Sequence, residues 1–252
     1  MARGCRWAFV SWREVRVIDL DMLDYRAAWR RQEEVHAEVL AGAEEAALLV
    51  EHPPTITLGR RAEASAAHLR ATPAELRNLK VEVVETDRGG DITFHGPGQL
   101  VAYPIVRLAD HGLSVGAYMR RLQEAVVEAV GAFGVQAHLD PAAPGVWVHD
   151  PSLGGAPAKV CAVGVRVRRG ITMHGLALNV EPDLGYFDLI DPCGLGKPVT
   201  SLHRLLHHKA PSIEAVKAVL IGALRRRFAR TAPPAASPDL PAGGVGGNTP
   251  PA

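Results

Sequence analysis

The stretch that decides the fold covers residues 145–179 and reads GVWVHDPSLGGAPAKVCAVGVRVRRGITMHGLALN. Runs rich in valine, such as Val146-Trp147-Val148 and residues 163–167, alternate here with turn residues such as Arg169-Gly170. Parallel strands need a crossover connection of roughly a dozen residues or more, usually a helix. The short turns therefore predict antiparallel hairpins rather than parallel strands joined by helices.

Further strands and helices are predicted on both sides of this stretch. Strands are expected over residues 46–50, 81–84 and 100–108, and helices over residues 22–40, from Thr72, from Ser114 to about Gly134, and from Ser212 to the basic cluster at 225–227. The Thr72 helix has the strongest start signal, because Pro73 follows at once and Glu75 lies three residues on. This irregular mixture predicts an α/β (α+β) protein, a single domain of mixed, largely antiparallel sheets with flanking helices. The domain is expected over residues 1–231, followed by a disordered Pro/Ala/Gly-rich tail at 232–252.

Composition excludes several classes of function. The chain has 252 residues and a net charge of +1, without the basic excess typical of nucleic-acid binding. It contains no apolar run near the roughly 20 residues that span a bilayer, and its first ten residues lack the apolar core of a signal peptide. We therefore expect a cytoplasmic protein with neither nucleic acid nor membrane as a partner.

The three cysteines, Cys5, Cys161 and Cys193, form neither a disulfide framework nor a C-x-x-C zinc motif. In a reducing cytosol each is expected to be a thiol. Cys161 alternates within a strand-like run and is predicted to lie in the core. Cys193 stands between Pro192 and Gly194, a setting typical of an exposed thiol at a turn. A nucleophilic thiol also needs a nearby cation or helix N-terminal amides, and the residues alone leave that role open.

Residues 88–99, RGGDITFHGPGQ, form the most unusual segment in the chain. Four glycines are more than a turn needs, which indicates backbone brought close to something else. The segment is either an elaborate loop or a loop that cradles a substrate with its amides and with Arg88 or His95. A Walker phosphate loop is excluded because its G-x-x-x-x-G-K-[ST] pattern is absent, and a dinucleotide loop because no helix follows the glycines.

Lys159 precedes the apolar run VCAVG, where a lysine can be drawn toward a pocket. His174 opens the segment HGLALN. A lone lysine is normally a solvated surface group, and a lone histidine is normally a structural one. These two residues are therefore candidates whose roles the local sequence does not decide.

Taken together, these segments resemble the lipoyl(octanoyl) transferase family. The family's motifs R-G-G-x-x-T-[FWY]-H-G-P-G-Q, K-[IV]-x-[AS]-[IL]-G, H-G-x-[AS]-[LI]-N and P-C-G stand here, in this order, at residues 88–99, 159–164, 174–179 and 192–194. An earlier T-x-G-[RK] element stands at residues 57–60, and the resemblance covers about residues 21–230. The departures are a conservative Val163 and a loop at 149–158 that is rich in glycine and proline.

The resemblance implies the fold of biotin and lipoate protein ligases and a Cys/Lys pair. Cys193 would be the acyl-thioester nucleophile, and Lys159 would lower its pKa and handle protons. The substrate site would be lined by Arg88, Gly89, Gly90, Asp91, Ile92, Thr93, Phe94, His95, Ala162, Val163, Gly164, Gly175, Leu176 and Ala177. The donor would be octanoyl-acyl carrier protein, and the acceptor a lysine of the lipoyl domains of 2-oxoacid dehydrogenases or of the glycine cleavage H protein. The enzyme would need no cofactor and no metal, and it would be a monomer.

Three alternatives stay open. An ATP-dependent lipoate or biotin protein ligase would share the fold but would need no cysteine. A non-enzymatic module that binds carrier protein would need neither Cys193 nor Lys159. A cysteine hydrolase of the Cys-His type would use water as the acceptor. Basic residues at Arg60-Arg61 or at 166–169 could dock an acidic carrier protein, or they could simply form a solvated face.

Overall fold

The computed structural model describes residues 15–191 and 197–229. The strands are β1 (Arg16–Met22), β2 (Ala46–Glu51), β3 (Thr55–Leu58), β4 (Glu82–Glu85), β5 (Thr93–His95), β6 (Gln99–Ile105), β7 (Ala137–Leu139), β8 (Val146–His149), β9 (Pro157–Arg168) and β10 (Ile171–Asn179). The helices are α1 (Tyr25–Leu40), α2 (Ala62–Ala66), α3 (Pro73–Asn78), α4 (Val115–Gly131), α5 (Leu202–Leu206) and α6 (Ile213–Phe228). Short 3-10 turns lie at Leu108–His111, Pro151–Leu153, Leu184–Leu189 and His207–Lys209.

A seven-stranded sheet forms the body of the protein, in the order β1-β2-β6-β10-β9-β8-β7. β1 and β2 pair in parallel, and the other neighbouring strands pair antiparallel. The β9–β10 hairpin closes at Arg169 and Gly170, whose φ angles of 53° and 78° are those of a tight two-residue turn. The predicted antiparallel hairpins and the mixed α/β fold class are thus confirmed.

A second sheet of three strands, in the order β4-β3-β5, carries its own small core. β3 pairs in parallel with β4 and antiparallel with β5. Ile56, Val84 and Phe94 are fully buried or nearly so. The sequence did not predict β3 as a strand, because it is four residues long and follows the Pro53-Pro54 stop directly.

Helices cover both faces of the large sheet. α4 and α6 pack on one face with apolar side chains that include Leu122, Val126 and Phe228. α1 packs on the other face, to which it contributes Val35 and Val39. None of the described helices is long and apolar enough to cross a membrane.

Element boundaries differ from prediction where a local contact decides them. α1 begins at Tyr25 rather than Met22, because Asp24 caps it by accepting a hydrogen bond from the Ala27 amide at 3.0 Å. β6 ends at Ile105, since Leu108 already belongs to a 3-10 turn. The capping box predicted at Thr72 is confirmed, with both of its reciprocal hydrogen bonds to Glu75 present. The predicted tail at 232–252 lies outside the described residues.

Pro104 interrupts the hydrogen-bond ladder in the middle of the large sheet. A proline has no amide hydrogen to donate, and the Thr172 hydroxyl supplies a substitute here. It donates to Pro104 O at 2.7 Å and accepts from the Val106 amide at 2.9 Å.

The backbone of β10 is also irregular two residues after Thr172, where His174 adopts a left-handed φ of 56°. Its neighbour is Gly175, where a Cβ would lie 2.1 Å from Ala102 O. The interrupted hydrogen-bond ladder at Pro104 therefore lies close to the left-handed residue His174, whose backbone conformation sets the direction of its side chain.

Replacement of Thr172 by valine should test this substitute ladder. The change keeps the shape but leaves the buried Val106 amide without an acceptor, at a cost of about 1–3 kcal/mol in the free energy of unfolding. Urea denaturation measures the loss. Thr172→Ser keeps the hydroxyl and is the matched control. Equal stability of the two variants would contradict the assignment.

Candidate active site

A cavity of about 140 Å³ lies where the small sheet meets the α1 side of the large sheet. Its wall contains most of the residues singled out from the sequence, namely Arg88, Gly90, Asp91, Ile92, Thr93, His95, Lys159, Ala162, Val163, Gly164, Gly175, Leu176 and Ala177. Residues from three separate motifs are thus brought together around one space. The lining is mostly apolar, with polar groups at defined points, as is usual for a small-molecule site.

Two of the predicted site residues that the structure describes, Gly89 and Phe94, are not in this wall. Gly89 instead donates its amide to Val165 O at 2.9 Å. The Phe94 side chain is buried in the small core, where its ring stacks on Tyr186 with centroids 4.8 Å apart. Cys193 lies outside the described residues.

The loop at residues 86–92, called the RGG loop below, is held by backbone contacts on two sides. A Cβ at Gly59, just after β3, would lie 2.1 Å from Gly90 O. A Cβ at Gly164, on β9, would lie 2.6 Å from Gly89 O. Real Cβ atoms do not approach an oxygen so closely, so the loop fits between the sheets only because both positions are glycine.

Arg88 ties the same loop to β3. Its guanidinium is almost fully buried, and it donates to Thr57 O at 2.7 Å and to Thr57 Oγ1 at 2.8 Å. Because Thr57 Oγ1 accepts from Arg88, its own hydrogen can go to His95 Nε2, which lies 3.3 Å away. Arg88 thus lines the cavity, while several of its donors serve the loop's own structure.

The protonation state of His95 follows from its hydrogen bonds. The Gln99 side-chain nitrogen donates to Phe94 O at 3.1 Å and to Asn179 Oδ1 at 2.9 Å, so its oxygen accepts from His95 Nδ1 at 2.7 Å. Asn179 in turn donates to Thr200 O at 3.0 Å. Burial lowers the pKa of His95 well below its ordinary value. His95 is therefore a neutral imidazole with its hydrogen on Nδ1.

A second buried histidine lies beside two tyrosines. His52 Nδ1 donates to Leu23 O at 2.7 Å, which leaves Nε2 to accept from the Tyr103 hydroxyl at 2.8 Å. Burial lowers the pKa of His52 to about 4 and raises the pKa of Tyr25 to about 12. Tyr25 and Tyr103 line the cavity, and the Tyr25 ring stacks on His95 with centroids 5.5 Å apart. This part of the wall is uncharged near neutral pH, which suits an apolar ligand.

His174 connects the RGG loop to the large sheet. Its Nε2 lies 2.7 Å from Asp87 Oδ1, and Asp87 also contacts Arg166. Burial raises the pKa of Asp87, but the hydrogen bond from His174 and the positive charges of His174 and Arg166 outweigh it and lower that pKa. Burial also lowers the pKa of His174. The structure thus gives His174, a residue of the cavity wall, a defined partner in Asp87 of the RGG loop.

The sequence suggested that Lys159 precedes a strand. In the structure it lies inside β9. Its amide donates to Pro198 O at 2.9 Å, and its carbonyl accepts from the Thr200 amide at 3.0 Å. The segment that follows residues 192–196 therefore runs beside Lys159. Cys161, two residues on, is fully buried, and burial raises the pKa of its thiol to about 12. The prediction that Cys161 belongs to the core is confirmed.

Several residues of the cavity wall were not selected from the sequence. Gln99 and Asn179 stand in the motifs and could have been chosen for that reason, whereas His174 was named as a candidate without a role. Tyr25, Val101, Tyr103, Pro144, Phe187 and Val199 carry no local signal in a single sequence. Among the described residues, no group of three or more His, Cys, Asp or Glu side chains is arranged to hold a metal ion.

Comparison with known proteins places this geometry in a family. The profile of the lipoyl protein ligase A/B catalytic domain matches residues 24–225. The chain belongs to the lipoyl protein ligase A/B family. Within this family it is 47% identical to the octanoyltransferase of Chloroflexus aggregans, over 84% of this chain and 94% of that protein.

Solved structures of the family and its neighbours share the fold. Lipoate-protein ligase A bound with ATP superposes with a TM-score of 0.66 at 16% identity, over 85% of both chains. The biotin protein ligase of Aquifex aeolicus in complex with biotin and ATP gives a TM-score of 0.51 at 14% identity, over 84% of this chain and 70% of that one. The predicted biotin/lipoate ligase fold is confirmed.

Gly164→Ala should disturb the RGG loop. The new Cβ would meet Gly89 O, so we expect a loss of about 1–3 kcal/mol in the free energy of unfolding and faster hydrogen exchange at the Gly89 amide. Gly116→Ala is the matched control, because nothing lies within 4 Å of a Cβ there. Unchanged exchange at Gly89 in the Gly164 variant would show that the loop does not depend on this contact.

The buried neutral His52 predicts a dependence of stability on pH. Because its pKa is lowered to about 4 in the folded state, its contribution is fully present above about pH 6.5 and is lost as the pH falls toward 4. Over that range it should account for about 3 kcal/mol, and His95 and His174 act in the same direction. Urea denaturation at several pH values should give a shallower acid dependence for His52→Gln than for the wild type. Identical pH dependence would contradict the assignment.

Proposed function

We propose that this chain transfers an octanoyl group from octanoyl-acyl carrier protein to a specific lysine of lipoyl domains, through a thioester on Cys193. This would be the first step of endogenous protein lipoylation. Family membership and the similarity to octanoyltransferases support the reaction class. The lipoyl domains of 2-oxoacid dehydrogenases and the H protein of glycine cleavage are the proposed acceptors, and the cytoplasm is the proposed compartment.

The position of Lys159 carries the proposal. It stands in the wall of the cavity, whose part around Tyr25, Tyr103 and His95 is uncharged and suits an acyl chain. The chain segment beside it, Pro198 to Thr200, begins a few residues after Cys193. A lysine beside a cysteine-bearing segment is the arrangement that a stabilised thiolate requires.

In the first half-reaction, the Lys159 ammonium stabilises the Cys193 thiolate by charge attraction in a partly desolvated cleft. The thiolate attacks the carbonyl carbon of the acyl-carrier thioester, and backbone amides of the site stabilise the oxyanion. The bond to the pantetheine sulfur breaks, and Lys159 supplies the proton that this thiol takes up. The octanoyl group remains on Cys193.

In the second half-reaction, the neutral amine of a lipoyl-domain lysine attacks the Cys193 thioester. A carbon–nitrogen bond forms and the carbon–sulfur bond breaks. Lys159, now neutral, takes the proton that the amine loses and returns to the ammonium form beside the thiolate. Conversion of a thioester to an amide is downhill in free energy, so the proposed reaction needs no nucleotide, cofactor or metal.

The carrier protein is acidic in general, so its docking surface should be basic. Arg166 is held by Asp87, whereas Arg60, Arg61, Arg168 and Arg169 are exposed. Arg60 adjoins the RGG loop, since its amide donates to Arg88 O at 2.9 Å. We place the carrier protein on this side of a monomeric enzyme.

Intact-mass spectrometry after mixing with octanoyl carrier protein, without ATP, tests the proposal. The wild type should gain an octanoyl-sized mass, and Cys193→Ala should not. Cys161→Ala is the matched control and should still gain it, because Cys161 is buried with a raised pKa. Addition of a lipoyl domain should then move the mass from the enzyme to the domain.

The same experiment separates the alternatives. A lipoate or biotin ligase would modify the lipoyl domain only when ATP, magnesium and the free acid are supplied. A binding module would form a complex with carrier protein but no adduct. A hydrolase would lose the adduct to water with no gain by the lipoyl domain.

A further inference from the structure

Two lysine ammonium groups lie over the same indole ring. Lys159 Nζ is 4.8 Å from the centroid of the Trp147 ring, and Lys197 Nζ is 4.7 Å from it. Both distances are within the range of a cation–π interaction, for which tryptophan is the strongest aromatic partner. Trp147 takes no part in the reaction steps that involve Lys159 and Cys193.

The Trp147 ring is itself fixed. The side chain is 2% exposed, and its Nε1 donates to Ala143 O at 2.9 Å. Trp147 stands on β8 directly opposite Lys159 on β9, next to a bulge in the pairing of the two strands. Bulges of this kind re-aim side chains near functional sites. The ring is therefore a rigid surface at a defined place relative to the Lys159 backbone.

Gly145 leaves room for the Lys159 stem to reach that surface. A Cβ at Gly145 would lie 3.1 Å from Lys159 Cε and 2.8 Å from Cys161 O. The Gly145 φ of 138° also favours glycine. Two independent features thus direct the Lys159 side chain. The absence of a Cβ at Gly145 leaves room for its stem, and the Trp147 ring lies at its ammonium end.

Lys197 connects this arrangement to the segment that follows Cys193. Its Nζ donates to Asp140 Oδ2 at 3.0 Å while it lies over the ring. Lys197 is four positions beyond Cys193 in the chain. One ring therefore contacts both the Lys159 ammonium and the start of the segment that pairs with Lys159.

We propose that Trp147 is a positioning residue that holds the Lys159 ammonium beside the segment from Lys197 to Thr200, which follows Cys193 in the chain. The inference rests on the proposed function, because Lys159 matters to the chemistry only if Cys193 is a nucleophile. Lysine has a long, flexible stem, and a fixed ring face restricts where its charge can lie. Trp147 acts through Lys159 and does not itself touch the acyl group.

A double-mutant cycle with Cys193 reactivity as the readout tests this inference. Cys193 is alkylated with iodoacetamide over a range of pH, and peptide mass spectrometry separates its modification from that of Cys5 and Cys161. In the wild-type background, Trp147→Leu should slow alkylation near neutral pH roughly 2- to 30-fold and move its pH profile upward. Trp147→Phe keeps an aromatic ring with a weaker cation–π interaction and should slow alkylation less. It replaces the leucine variant in the test if that variant does not fold.

In a Lys159→Met background the same Trp147 changes should have no further effect, since the cation they position is gone. Equal slowing in both backgrounds would overturn the inference and leave Trp147 a core residue. Phe228→Leu removes a buried ring on the opposite face of the sheet and is the control for general destabilisation. A wild type that forms no octanoyl adduct would instead refute the proposed function, whereas an adduct with additive mutational effects would refute this inference alone.

Discussion

The close approach of the RGG loop to the backbone of both sheets is the constraint on which the site depends. Gly59 faces Gly90 on one side, and Gly164 faces Gly89 on the other, at distances that no Cβ could occupy. The cavity wall needs this loop, because the small sheet reaches the large one across it. Arg88, buried and bonded to Thr57, then fixes the loop by its side chain as well.

The polar groups around the cavity form one network with a single sense of hydrogen donation. Asn179 donates to Thr200, and Gln99 donates to Asn179 and accepts from His95. At the other end of the network Arg88 donates to Thr57, and the Thr57 hydroxyl can donate to His95 Nε2. His95 is therefore neutral, and Arg88 is the cation of the network. A buried network of this kind is stable only when all its members are satisfied. The network also explains why residues from separate motifs belong together, since each completes the hydrogen bonds of another.

The sequence predicted those features that depend on neighbours along the chain. The β9–β10 hairpin follows from Arg169-Gly170 and the valine-rich strands, and the α3 start follows from Thr72, Pro73 and Glu75. β1 was missed, because it is an edge strand whose partner, β2, lies beyond a whole helix. In the site, the motifs supplied most of the wall. Tyr103 joins the wall from outside the motifs, and its hydrogen-bond partner His52, 51 positions away, meets it only after folding.

Fold alone does not separate a transferase from a ligase. The superposition on an ATP-bound ligase at 16% identity shows that this scaffold accommodates other chemistry. A cysteine near the cavity is equally insufficient, because Cys161 lies two residues from Lys159 and yet is fully buried with a pKa of about 12. A reactive thiol needs a sulfur outside the core together with a group that lowers its pKa, such as a nearby cation. Lys159 is seated against Trp147 in the cavity wall, and the proposed thiol chemistry depends on such side chains and not on the scaffold shared with the ligases.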